Sequence, residues 1–428
     1  MARHSPLRKL QEQAEAEFIH YGHAALRAAG VDSAAPPVKG RPAPPPHVGP
    51  GVDIVASYGE IEAEYAAIRK SAALRDVPQR GLVRITGADR ADFLNRMVTN
   101  EVKSLPEGAS VRAFWLNRKG RIDADLLITA APDALWVEVD QAVAPHVVHT
   151  LSSFVFSEDV QLADVTDQYH SFELFGPAAP AILGSLIRFD AAPADGSDAL
   201  AALAPQRTRS AQIGSVPVTI AHRDLLHVPG YVLTVPVDSA LVLHERILET
   251  GLASPAGIRL LGWYAFNIAR VESGRPFFLI DFGPDSLPHE SGVLREAVSF
   301  TKGCYLGQEI VARMEHLGHP SKTLVGLRVT SPALPAPSAE RGTPSFPPLP
   351  ISGAQVFDPA DPLGEVIGAV TSATISPMLG GAAIAFAMMK YAKAAPGSSV
   401  LVNADDGRRF ASRAEAVVTP SLTFWPLA

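Results

Sequence analysis

Hydrophobic positions recur along this chain in two rhythms, one helical and one alternating, and the switches between them outline its elements. Leu7, Leu10, Ala14, Phe18 and Tyr21 follow helical spacing behind Ser5, a capping residue, and Pro6, which suits a first turn. Residues 5–30 are therefore expected to form one helix. After a proline-rich stretch, YGEIEAEYAAIRKSAA (58–73) predicts a helix and LVRITG (82–87) a strand ending at Gly87. ADRADFLNRMV (88–98) puts Phe93, Leu94 and Met97 on one helical face. SVRAFWLN (110–117) and RIDADLLITAA (121–131), joined by RKG, read as a hairpin with Gly120 at its turn. LWVEVD (135–140) adds a strand, and 141–154 a helix.

A related pattern returns over 160–260. VQLADVT and YHSFELFG are strand-like, and DSALVLHERILETG (238–251) is helical. Residues 189–212, rich in Ala, Pro, Asp and Ser, read as an insertion or surface loop. GWYAFNIARVESG (262–274) reads as a helix. Seven prolines in residues 36–50 and seven more in 331–350 mark two linkers or long loops. Beyond the second, AQVFD, EVIGAVTSA, AIAFAMM, SVLVN and RAEAVV have the spacing of a small antiparallel β domain. The chain thus divides into an N-terminal helix and linker (1–50), two α/β lobes (51–160 and 161–330), a second linker (331–350) and a β domain (351–428).

Composition supports this division. A chain of 428 residues exceeds one hydrophobic core, and 47% hydrophobic with 19% charged residues is globular. The net charge of −7 argues against a broad grip on nucleic acid. The start lacks the apolar core of a signal peptide and carries Glu12, Glu15 and Glu17, unlike a transit peptide. No apolar run of membrane-spanning length occurs. A cytoplasmic location is expected, and the single cysteine fits a reducing compartment.

That cysteine, Cys304, sits in TKGCYLGQEIVAR (301–313). Gly303 and Gly307 imply a tight loop, and Glu309 and Arg313 can pair if a helix follows. Lys302 beside the thiol would favour the reactive thiolate, although a free cysteine is more often a buried apolar residue. One thiol can form neither an internal disulfide nor a self-contained iron–sulfur site. In RIDADLL, alternation puts Asp123 and Asp125 on one strand face, roughly 6.6 Å apart. They could bind an amine or a pterin-like ring, share a proton, or simply face water. In ARVESGRPFFLIDF, Glu272 could accept donors from a ring edge or pair with Arg270 or Arg275. The pairs His146/His149 and His316/His319 lack a full zinc ligand set, so no stably bound metal is expected. Phosphate-loop and GxSxG signatures are missing.

With RVESGRP, PHESGV and AVSF ahead of it, TKGCYLGQEIVAR resembles the YgfZ-type folate-binding proteins of the glycine cleavage T-protein (aminomethyltransferase) superfamily. DFLNRMVTNEVKSLPEGASVRAFWLNRKGRIDADLLI (92–128) and GEVIGAVTSATISPMLGGAAIAF (364–386) extend the resemblance to roughly residues 53–418. It implies an α+β, three-lobed fold: two α/β lobes around a central opening that binds tetrahydrofolate or a one-carbon derivative, plus a small C-terminal antiparallel β-barrel. It implies a role in assembling or repairing iron–sulfur clusters, felt through enzymes that thiolate tRNA, with iron–sulfur carrier or client proteins as partners and no direct contact with nucleic acid or membrane. The motif residues are Lys302, Gly303, Cys304, Tyr305, Gly307, Gln308 and Glu309. Cys304 and Lys302 would be the reactive groups, and Asp123, Asp125, Glu272, Tyr305 and Arg313 would face the folate. Either Asp123 or Asp125 would match the catalytic acid of the T-proteins. That acid keeps a second reading open, a folate-dependent aminomethyltransferase or demethylase, and a third is a folate-binding module alone.

Overall fold

The computed structural model describes residues 4–21, 51–189, 200, 202–330, 349–362, 364–404 and 412–424. The N-terminal helix is shorter than its pattern predicts. It spans Arg8–Gln13, and Glu15 then takes φ of 53°, which ends it. Strand β1 (Glu17–Tyr21) follows and pairs antiparallel with β2 (Val52–Ser57). Phe18 and Tyr21 suit a helix, whereas Ile19 and Tyr21 suit a strand and pack into one small core with Val52 and Ile54, so the distant partner strand decides between the two rhythms. The rest of the expected helix, 22–30, and the proline-rich linker up to residue 50 lie outside the described residues. Leu7 is buried in the core of the larger sheet, so this N-terminal segment is part of the body.

Helix Ile61–Lys70 leads into β3 (Ala73–Asp76) and β4 (Arg80–Thr86). Helix Arg90–Met97 follows, then the predicted hairpin β5 (Ser110–Leu116) and β6 (Ile122–Ala130), then β7 (Leu135–Asp140). Helix Ala144–Ser152 precedes β8 (Gln161–Asp164). The first sheet has the order β5-β6-β7-β4-β8, all antiparallel.

Next come β9 (Tyr169–Phe175), helix Ala179–Leu186, β10 (Ile187–Phe189), β11 (Thr208–Ile213), β12 (Val216–His222) and β13 (Gly230–Pro236). Helix Ala240–Ala253 and the short β14 (Arg259–Leu260) complete this part. The second sheet runs β10-β11-β12-β13-β9-β3-β14, with only β3 and β14 parallel. The expected surface loop over 189–212 is thus corrected at its ends. Phe189 closes β10, and 208–212 belong to β11, paired with it. The polar sequence TRSAQI hides a strand because only Ala211 and Ile213 turn inward.

Helix Trp263–Glu272 leads to a long segment that returns to the first sheet. Phe278, Phe282, Ala297, Tyr305 and Val311 join its core, with Phe282 edge-on to Phe114 at 6.1 Å. The Cys304 motif therefore packs on the five-stranded sheet, although it follows the second in sequence. The C-terminal body is a closed antiparallel barrel of β15 (Lys322–Val329), β16 (Gln355–Phe357), β17 (Val366–Ser376), β18 (Ala382–Lys390), β19 (Ser399–Ala404) and β20 (Ser412–Val418), in the order β15-β18-β17-β16-β19-β20. It takes its first strand from ahead of the second proline-rich segment, so it begins before residue 351. The fold is α+β, as expected. Among the described residues, no helix is long and apolar enough to cross a membrane.

Candidate functional site

Cys304 is exposed and free, on a loop fastened along its length. Gly307 (φ 83°) starts helix Gln308–Leu317, and a Cβ there would stand 3.2 Å from Leu116 Cβ. Gly120 (φ 68°), at the β5–β6 turn, faces Ile310 with only 2.9 Å left for a Cβ. These two glycines let the hairpin and the helix touch. Leu306 N donates to Arg96 O at 3.3 Å. Lys302 Nζ donates to the carbonyls of Asn95, Val98 and Asn100 at 2.6, 2.8 and 2.8 Å, capping the end of helix Arg90–Met97.

Expected as a reactive group, Lys302 is held here as a strut: its ammonium has no N–H left for a substrate. Burial pulls it down to about 8, against a smaller pull from Glu101. Tyr305 is buried beneath it, with its hydroxyl pushed up to about 12 by desolvation, and Lys302 Nζ lies 5.3 Å from the ring centroid. Gly303 is exposed, with open space around its Cα. Gln308 is half-buried, and Glu309 and Arg313 form an exposed pair at 3.2 Å.

The two aspartates share one face of β6, but their partners differ. Asp125 is held bidentately by Arg112, with Nε 2.9 Å and Nη2 2.6 Å from its oxygens. Arg112 also reaches Glu296 at 3.3 Å, and Glu296 lies 3.2 Å from Arg275. Asp123 accepts from Asn117 Nδ2 at 3.0 Å and stands 3.6 Å from His146 Nε2. Glu272 pairs with neither Arg270 nor Arg275. Buried at 1% exposure, it accepts from Tyr65 Oη (2.7 Å) and Arg69 Nη2 (2.8 Å) on one oxygen and from Ser376 Oγ on the other. Helix Ile61–Lys70, helix Trp263–Glu272 and the barrel meet at this one carboxylate. Arg270 pairs instead with Asp281 at 2.8 Å.

A cavity of 730 Å³ opens between the two sheets. Trp136 and Tyr169 line it, edge-to-face at 5.4 Å, with Arg223, Thr208 and Glu138. Arg223 Nη1 donates to Glu138 at 2.8 Å. Among the described residues, Arg223 Nε and Thr208 Oγ1 are buried without a hydrogen-bond partner. None of the residues singled out from the sequence lines this cavity. Arg223 and Trp136 carry no local signal, because two distant hairpins bring them together.

Residues 50–302 match the GCVT N-terminal domain, and residues 322–422 match the glycine cleavage T-protein C-terminal barrel domain. The chain belongs to the glycine cleavage T-protein family. The T-protein barrel match starts where β15 starts, and the loop with Cys304 lies between the two matches. Curated relatives include the aminomethyltransferases of Bacillus licheniformis (28% identical over 67% of this chain and 75% of theirs) and Streptomyces coelicolor (27% over 81% and 86%). The crystal structure of aminomethyltransferase T from Bartonella henselae superposes with a TM-score of 0.76, covering 99% of this chain and 98% of that one at 21% identity. That likeness establishes the T-protein fold.

Proposed function

We propose that this chain is a tetrahydrofolate-binding accessory protein of the YgfZ type. It supports the assembly or repair of iron–sulfur clusters in the cytoplasm, and through its clients tRNA modification. The contrast between its candidate groups carries this reading. Asp125 and Glu272 are committed to arginines, whereas Cys304, the only cysteine, stands exposed on a fastened loop. The inter-sheet cavity offers a place for a folate: its aromatic side chains Trp136 and Tyr169 suit contact with a pterin, while Arg223 is already paired with Glu138 and shapes the wall. Bound there, the folate would carry a one-carbon unit, while the protein orients it and keeps water away. Cys304→Ser tests the reading. Loss of cluster-dependent enzyme activity in a deletion strain, with folate affinity by calorimetry unchanged, is expected. Full activity of the serine variant would refute it.

A second reading, an aminomethyltransferase, draws on the names of the relatives and on the acidic pair of β6. It requires Asp123 or Asp125 to act on the aminomethyl group, and Asp125 would first have to leave Arg112. Ammonia released from an aminomethyl carrier protein in the presence of tetrahydrofolate would decide for it.

A further inference from the structure

Two features touch the loop that carries Cys304. One is the β5–β6 hairpin tip, seated against the loop at Gly307, where Leu116 Cβ and Asn117 O come within 3.2 and 3.3 Å of a Cβ position. The tip carries Arg118 and Lys119, both exposed, and among the described residues neither makes an ion pair. Cys304 is three residues from Gly307, so their Cα atoms are at most about 11 Å apart.

The other feature is the loop bearing Phe156, which is 84% exposed. Glu158 pins it, accepting from the backbone N–H groups of Phe156 and Ser157 at 3.1 Å each and from Arg96 at 2.8 Å. Arg96 is the residue whose carbonyl holds Leu306 of the Cys304 loop. One arginine thus joins the exposed aromatic to the thiol loop. Phe300, also exposed, lies four residues before Cys304. A pinned, protruding aromatic loses little freedom when a partner covers it.

We propose that this face is a docking surface for an acidic protein, with Arg118 and Lys119 steering it and Phe156 entering an apolar pocket beside its own reactive loop. The overall charge of −7 makes a local pair of free cations a directing feature. This inference rests on the reading of Cys304 as the working group.

The test uses two short peptides, one Glu-rich and one Lys-rich, each with a cysteine activated as a 2-pyridyl disulfide. The Cys304 thiolate attacks the peptide sulfur, forming the mixed disulfide and releasing pyridine-2-thione, which is followed by absorbance. At low salt the Glu peptide is expected to react at least about tenfold faster, with the advantage vanishing at high salt. Arg118→Glu with Lys119→Glu should reverse the preference. Equal rates for the two peptides in the wild-type protein would overturn the proposal. So would Arg118- and Lys119-dependent retardation of an RNA oligonucleotide without a Glu-peptide preference, which assigns the face to nucleic acid instead. In a deletion strain, the charge-reversed variant and Phe156→Ala should each lower cluster-dependent activity at unchanged iodoacetamide labelling of Cys304. Wild-type activity of both would overturn the proposal while leaving the accessory role intact. If Cys304→Ser keeps full activity, the accessory role falls and the inference built on it falls with it, whatever the peptide preference.

Discussion

Replacing Glu272 separates two roles for this carboxylate. The resemblance to T-proteins assigns it to the pterin ring, whereas here its oxygens accept from Tyr65, Arg69 and Ser376. Glu272→Ala removes all three contacts and leaves the Arg69 guanidinium, 8% exposed, without this carboxylate. Breaking a buried pair on one side costs about 3–5 kcal/mol. Arg69 also donates to Leu226 O at 2.6 Å, which puts the expected loss near the lower end, about 3 kcal/mol. Glu272→Gln keeps an oxygen for Tyr65 and Arg69 and can turn its amide toward the Ser376 hydroxyl. It loses only the ionic part, about 1–2 kcal/mol. Urea midpoints and thermal melts of the three proteins, with tetrahydrofolate titrated into each by calorimetry, provide the assay. The expected order of stability is wild type, Gln, Ala, with the barrel loosening first. Unchanged melting of the alanine variant together with lost folate binding would refute the reasoning, because it would mean that Glu272 faces the ligand and not the protein.

Other substitutions probe the Cys304 loop and the core. Gly307→Ala forces a left-handed φ on an L-residue and presses a Cβ against Leu116, so a loss of about 1–2 kcal/mol by urea unfolding is expected. Lys302→Met keeps the aliphatic stem but frees three carbonyls, and hydrogen exchange should quicken at the Leu306 amide. His244 is buried, and desolvation holds its imidazole below the usual value, against a pull from Asp76. The unfolded chain then gains a proton near pH 6.5 that the folded one does not. Stability should therefore fall as pH drops below about 6.5, and His244→Leu should flatten that fall in melts taken between pH 5 and 8.

How much of this was legible in the sequence depends on how local each signal is. The β5–β6 hairpin, the helix carrying Glu272 and the barrel strands announce themselves, because turn glycines and apolar periodicity lie within each element. The T-protein fold was legible through the motifs. The strand at Glu17–Tyr21 was not, since its apolar spacing is satisfied equally by a helix and its partner strand lies some thirty residues away. The Asp123/Asp125 pair was visible as a shared face. That Arg112 would clamp Asp125 needs the register, in which Phe114 faces Asp125 and Arg112 reaches across diagonally. Lys302 looked like the neighbour of a thiol, and only tertiary packing shows where its ammonium goes. The groove lined by Trp136 and Arg223 is similarly a product of two sheets meeting.

Strand β3 has a consequence for how the chain is made. It lies between β9 and β14, so residues 73–76 are flanked by strands at 169–175 and 259–260. As the chain leaves the ribosome, β3 waits for β9, and for β14, which begins at residue 259, well after β9 has ended at residue 175. The larger sheet cannot close around it until well over half of the chain has been synthesised. Such long-range pairing slows folding and leaves an apolar strand uncovered meanwhile. A nascent chain stalled at about residue 200 should therefore bind holdase chaperones more strongly than the completed, released chain.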